Sequence, residues 1–203
     1  FHRRLADRPY QANRLLSLIS KVLNLCEVWG WRRDGTNPCR HVKKFREEKR
    51  ERFLSPTELG QLGEVLRKAD RFELQDEAGG RVWVNPSAIL AIRLIVLTGA
   101  RRGEILGLKW NDIDWENSRA LLTDSKTGRR HLYLPAPAIK LLADQEGKNS
   151  AVYVVPGGRS DRARRSGKTP LTNLKDPWKV ISATAGLKGV RIHDLRHSFA
   201  SVG

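Results

Sequence analysis

The sequence predicts a mainly α fold, of α+β class, with one small antiparallel β-sheet. Three observations carry this. Long stretches place apolar residues at helical spacing. Two short β-prone runs, Ala120–Thr123 and His131–Leu134, flank a turn signal at Lys126-Thr127-Gly128. A charged run at Lys43–Arg52, KKFREEKRER, separates an all-helical beginning from the rest.

The first element is predicted as a helix over Arg14–Trp29. Leu15, Leu18, Ile19, Val22, Leu25, Cys26 and Trp29 form its apolar face, and Gly30 stands at the stop position. The charged run is too poor in apolar residues to enter a core and reads as a linker. Ser55-Pro56-Thr57-Glu58 then has the form of a capping box, with serine at the cap, proline at the first helical position and glutamate three residues after the cap. A domain boundary is therefore expected between Lys43 and Ser55, giving domains over 1–50 and 51–203.

Beyond the helix that starts at Ser55, Asp76–Asn85 reads as an insertion with a turn at Gly79-Gly80 and a strand at Val82–Val84. Asn85 caps a helix that is apolar on nearly every side, as a central core helix would be, and that ends at Thr98-Gly99. Arg102–Leu108 is predicted as a short helix, followed by a turn at Trp110–Trp115. After the hairpin come a helix at Pro137–Asp144, a strand at Val152–Val155 and a Gly-, Ser- and Arg-rich loop at Pro156–Thr169. Helices at Leu171–Ala185 and His193–Ser201 complete the chain.

Composition narrows the partners. The 203 residues hold 38 Lys and Arg against 22 Asp and Glu, a net charge of +16. So basic a surface suits an acidic partner, nucleic acid first and an anionic membrane second. The membrane reading is weak, because the longest apolar stretch, Ala88–Leu97, is interrupted by Arg93 and falls short of the ~20 residues a span needs. Only Cys26 and Cys39 are present, without zinc-ligand spacing, and a reducing cytoplasm is the expected compartment.

Three stretches carry chemistry: Thr98-Gly99-Ala100-Arg101-Arg102-Gly103-Glu104-Ile105-Leu106, Lys126 in the hairpin, and His193-Asp194-Leu195-Arg196-His197. Each has an ordinary reading by itself. Arg101 or Arg102 could be a solvated helix-end arginine, Lys126 a basic hairpin tip, and His193–Arg196 a capped helix start. Their coincidence in this order is far less probable than any one of them. Two guanidiniums, Arg101 and Arg196, can neutralise the non-bridging oxygens of a phosphate in transfer. His193 lies one helical turn before Arg196 and suits proton transfer near neutral pH. Lys126 can protonate a departing deoxyribose oxygen.

From about Phe53 to Gly203 these stretches resemble the tyrosine recombinases of the phage integrase family, in order, spacing and intervening elements. The first is similar to that family's arginine box, the second to its hairpin lysine and the third to its His-x-x-Arg box. The resemblance implies a helical catalytic domain preceded by the end of an all-α DNA-clamping domain. It implies catalytic roles for Arg101, Lys126, His193 and Arg196, and a supporting role for Glu104. It further implies strand exchange at specific sites through a 3′-phosphotyrosyl link, without metal or cofactor, by a homotetramer on double-stranded DNA in a bacterial cytoplasm. Accessory DNA-bending or directionality proteins are possible partners. The expected nucleophile follows the His-x-x-Arg box. Tyr10, Tyr133 and Tyr153 all precede His193, so that tyrosine is expected beyond Gly203. A non-catalytic module occupying attachment sites is the alternative, and a type IB topoisomerase the weaker one.

Lys43, Lys44, Arg46, Arg129, Arg130 and Lys168 are the expected DNA contacts, from the charged run, the hairpin and the arginine-rich loop. That loop, Gly157–Lys168, is either a solvated segment or a phosphate-contact surface, and the charge favours the second. Arg102 is expected toward solvent or the DNA backbone. His197, His131, Trp110 and Trp178 are expected to serve the fold.

Overall fold

A computed structural model describes residues 1–48, 52–75, 79–122, 128–145, 151–158 and 166–202. The chain forms two compact units, Phe1–Glu51 and Arg52–Gly203.

The first unit is built on α1 (Pro9–Val28), preceded by a 3-10 turn at His2–Leu5. The helix starts earlier than Arg14 because Pro9 supplies a preset first-turn conformation. The residues after it return along its side, held by two buried asparagines. Asn37 donates Nδ2 to Asn24 Oδ1 at 2.7 Å, and its backbone N–H goes to Glu27 Oε1 at 2.7 Å. Asn13 donates Nδ2 to the Phe45 carbonyl and accepts the Phe45 N–H at 3.0 Å, while the Phe45 ring stacks on His2 at 4.3 Å. The charged run is therefore tethered near its start: Phe45 and Glu47 bond to Asn13 of α1, while Lys43, Lys44 and Arg46 stay exposed. The buried side of α1 is Ala12, Asn13 and Leu16. Leu15, Leu18, Val22 and Trp29, expected as the packed face, are exposed, because the return segment covers the other side.

The second unit opens with α2 (Pro56–Asp70). Ser55 and Glu58 make both reciprocal bonds of the capping box, and the Arg52 guanidinium also grips Glu58. The core surrounds α3 (Pro86–Thr98), in which Ala88–Ile92, Leu94 and Ile95 are all buried. Asn85 caps its start by accepting the Ser87 N–H at 3.0 Å. Gly99 ends it at φ +61°, a conformation that disfavours side chains. Next come α4 (Arg102–Leu106), β1 (Ile113–Asp114), β2 (Arg119–Leu122), β3 (Arg130–Tyr133) and α5 (Ala136–Ala143). The strands form one antiparallel sheet in the order β1-β2-β3, with Ala120 facing both Ile113 and Leu132 across the register. Alternation buries Ala120, Leu122 and Leu132 and exposes His131 and Tyr133. His131 thus serves no core.

Three expectations change. Val82–Val84 makes no strand; an isolated bridge joins Gln75 to Arg81. Val152–Val155 makes no continuous strand: an isolated bridge joins Tyr153 to Lys109, and its backbone bonds include Val154 N–H to the Leu108 carbonyl and Leu171 N–H to the Val155 carbonyl, each at 2.9 Å. Leu171 is thereby committed to pairing, so α6 begins at Lys175 and runs to Thr184. Pro177 falls in its first turn, where a missing N–H costs nothing. Trp178 is buried and donates Nε1–H to the Val190 carbonyl at 3.1 Å. The last helix, α7 (Ile192–Val202), packs along α3. Among the described residues no helix is long and apolar enough to cross a membrane.

Candidate functional site

The site is assembled where α3 ends, α4 begins and α7 crosses them. Arg101 is the cap residue of α4. The orphan N–H groups of a helix start favour a carboxylate in the first turn, and Glu104 supplies it. Its Oε2 accepts the Arg101 backbone N–H at 2.7 Å, and its Oε1 accepts Arg101 Nη1 at 2.8 Å. Arg130, at the start of β3, reaches the same carboxylate with Nη2 at 2.6 Å from Oε2 and Nε at 3.3 Å from Oε1. The Glu104 side chain is 6% exposed. Burial raises its pKa, but hydrogen bonds from Arg130 and from the Arg101 backbone and side chain outweigh that, leaving the carboxyl below its ordinary value.

The start of α7 uses a similar device. Asp194, 1% exposed, accepts the Arg191 backbone N–H and Arg191 Nη2, each at 2.9 Å. With Asp194, Leu195 and Ser198 buried, His193, Arg196 and His197 fall on the outer side. Arg196 then reaches across to α3, where its Nη1 donates to the Gly99 carbonyl. Phe199 covers Gly99 from the same helix, so closely that any Cβ at position 99 would collide with its ring.

His193, Arg196, Ile192, Ile95, Ala100 and Arg102 line a cleft of about 240 Å³. His193 and His197 meet edge to face at 5.0 Å. Burial, then His197 and Arg196, lower the His193 pKa below its ordinary value, which favours the neutral ring. His197 is exposed against this ring rather than buried in the core.

Of the residues singled out in the sequence, His193 and Arg196 line the cleft. Arg101 and Glu104 lie beside it, with the chain neighbours of Arg101 forming part of its wall. Lys126 lies outside the described residues. Lys43, Lys44, Arg46, Arg129 and Lys168 are exposed. Arg130 is half-buried with its guanidinium on Glu104, a partnership that the sequence reading missed. Strand alternation carries the signal, since Arg130 shares the side of β3 that buries Leu132. Tyr10, Tyr133 and Tyr153 do not line the cleft.

The two arginine-bearing boxes thus meet at Gly99. A profile of the phage integrase family matches residues 84–202, more than half of the chain. The chain belongs to the phage integrase family. Related proteins include the shufflon-specific DNA recombinase of Escherichia coli, 26% identical over 192 residues that cover 92% of this chain and 41% of that protein. The tyrosine recombinase XerD of Mycobacterium leprae is 32% identical over 155 residues, covering 68% of this chain and 45% of that protein. The chain therefore spans less than half the length of these relatives. The fold is that of lambda integrase, seen as a tetramer bound to a Holliday junction, with a TM-score of 0.67 at 18% identity over 98% of this chain and 56% of that one.

Proposed function

We propose that this chain is the larger part of a site-specific DNA recombinase that integrates or excises a phage or mobile element. The second unit is its catalytic domain, and the first is the end of a helical domain that clamps DNA. The observation that carries the reading is the Arg196–Gly99 contact, which brings the arginine box and the His-x-x-Arg box to one cleft together with His193.

In this reading Arg101 and Arg196 hold the non-bridging oxygens of the scissile phosphate. Their charge meets the negative charge that builds up as phosphorus becomes five-coordinate. His193, kept neutral, takes a proton from the attacking hydroxyl. Glu104 aims Arg101. Lys126 delivers a proton to the leaving deoxyribose oxygen. The attacking group is a tyrosine that follows the His-x-x-Arg box in the full-length protein. Its oxygen displaces the 5′ deoxyribose oxygen and keeps the phosphodiester energy in a 3′-phosphotyrosyl link, which a 5′ hydroxyl then attacks to rejoin the strand and release the tyrosine. Double-stranded DNA is the substrate, and a tetramer on two duplexes is the working assembly. Support for the assembly comes from the likeness to the lambda integrase fold. Exposed Lys43, Lys44, Arg46, Arg129 and Lys168 supply backbone contacts that set register without reading sequence.

A nicked suicide substrate offered to the full-length protein tests the reading. A covalent tyrosine–DNA adduct that disappears in Arg101→Ala and Arg196→Ala, with duplex binding largely kept, is the expected result. Tight binding without any adduct would favour a module that only occupies attachment sites. Relaxation of supercoils regardless of sequence would favour a topoisomerase.

A further inference from the structure

We infer that Arg130 is a positioning residue that keeps Arg101 free to bind phosphate, by occupying the forked face of Glu104. The inference rests on the phosphate role proposed for Arg101 and adds a residue that acts through another.

A carboxylate offers about four lone-pair sites, and Glu104 receives four bonds from the described residues. Two come from Arg101, one backbone and one side-chain, at 2.7 and 2.8 Å. Two come from the Nε and Nη2 edge of Arg130. The forked pairing, the strongest that a guanidinium makes with a carboxylate, therefore belongs to Arg130. Arg101 is held at a single nitrogen, Nη1. It is oriented without being consumed, and its side chain is 40% exposed.

Without Arg130 the balance changes. A carboxylate that is 6% exposed would lose one of the two cationic partners it has among the described residues. Arg101, three residues away on the same helix start, already touches it. Its guanidinium would rotate to take the vacated fork and turn the edge meant for phosphate toward Glu104. The pairing of β3 with Glu104 is thus a competition set in favour of Arg130. Lysine at 130 would serve only in part, because an ammonium is a point charge that cannot fill a forked site.

Two measurements test this. In the first, the Nε–H resonance of Arg101 is followed in the 203-residue chain while inorganic phosphate is added. The resonance should move in the parent chain, stay fixed in Arg130→Ala, and move again in the double variant Arg130→Ala/Glu104→Gln, whose neutral amide cannot capture a guanidinium so firmly. In the second, single-turnover cleavage of the suicide substrate by the full-length protein should fall ~10–100-fold in Arg130→Ala. It should recover in the double variant, with Arg130→Lys in between and duplex affinity nearly unchanged throughout. A merely structural role for Arg130 would make the double variant worse than the single one, in both measurements. That result, or an Arg101 resonance that responds to phosphate equally in Arg130→Ala, overturns the inference. If the parent protein forms no covalent adduct at all, the recombinase reading fails, while the phosphate titration still decides the role of Arg130.

Discussion

Arg196 donates from Nη1 to the carbonyl of Gly99, so a residue of the last helix holds the turn that ends the central one. The two lie 97 positions apart in the chain. Through this bond α7 fixes the entry to Arg101, and the position of one candidate phosphate ligand becomes dependent on the other.

Gly99 should tolerate no side chain. Its φ of +61° strains any L-residue, and an added Cβ would enter the Phe199 ring. Gly99→Ala is expected to cost about 2–4 kcal/mol, read as a lower urea midpoint with an unchanged slope. Adding Phe199→Ala should recover the part due to collision and leave the part due to backbone strain.

Removing Glu104 should harm both stability and cleavage. Glu104→Ala strips the Arg101 N–H of its partner and leaves two guanidiniums facing each other. Because both arginines are partly solvated, the expected loss is modest, about 1–3 kcal/mol. High salt, which screens the repulsion, should lessen it. Equal unfolding midpoints for variant and parent in low salt would contradict this account.

The acid limb of stability should report on Glu58. Hydrogen bonding from Arg52, then from the Ser55 backbone, holds its pKa down to about 2 against an ordinary 4.5. The folded value lies below the unfolded one, so its contribution is complete above pH 4.5 and is lost as the pH falls toward 2. Glu58→Gln should flatten stability over that interval in a series of urea titrations. It should also lower stability at neutral pH.

His193 should titrate below 6.5, its ordinary value. Burial is the largest cause, followed by His197 and Arg196. Arg191 acts in the same direction and Asp194 opposes it. His197→Ala removes one depressing influence, so the His193 midpoint should rise, as seen in its ring carbon-bound proton shifts. A fall would mean that the edge-to-face contact acts otherwise than supposed.

Duplex binding should weaken steeply with salt. Lys44 and Arg46 flank Phe45, which anchors their segment to α1, and both side chains remain exposed. Reversing their charge should reduce the slope of log affinity against log salt by roughly 0.9 for each phosphate that is no longer neutralised. A salt-independent affinity would remove the electrostatic basis of the DNA reading.

Much of this architecture is legible locally. The Ser55–Glu58 box, the Asn85 cap and the Gly99 stop each depend on residues within one helical turn, and each forms as expected. What escapes the sequence depends on distant partners. β1 has two residues and exists only because β2 lies beside it. Leu171 looks helical until Val155 claims its N–H. The apolar stripe of α1 announces a helix but not which side is covered. The same division runs through the site. The boxes around Arg101 and Arg196 declare themselves by spacing. The Arg130–Glu104 bond joins residues 26 positions apart; strand alternation turns Arg130 to the covered side of β3, but nothing local names Glu104 as its partner.

The buried acids bear on how a polyanion would meet this surface. The side chains of Glu27, Glu104 and Asp194 are 3%, 6% and 1% exposed, each beneath an arginine more open to water. Their negative charge still counts in the formal total of +16, yet an approaching phosphate would encounter the cationic edge first. At close range such patches therefore attract more strongly than the arithmetic of the whole molecule indicates, and neutralising an outer arginine would uncover an anion rather than create a blank.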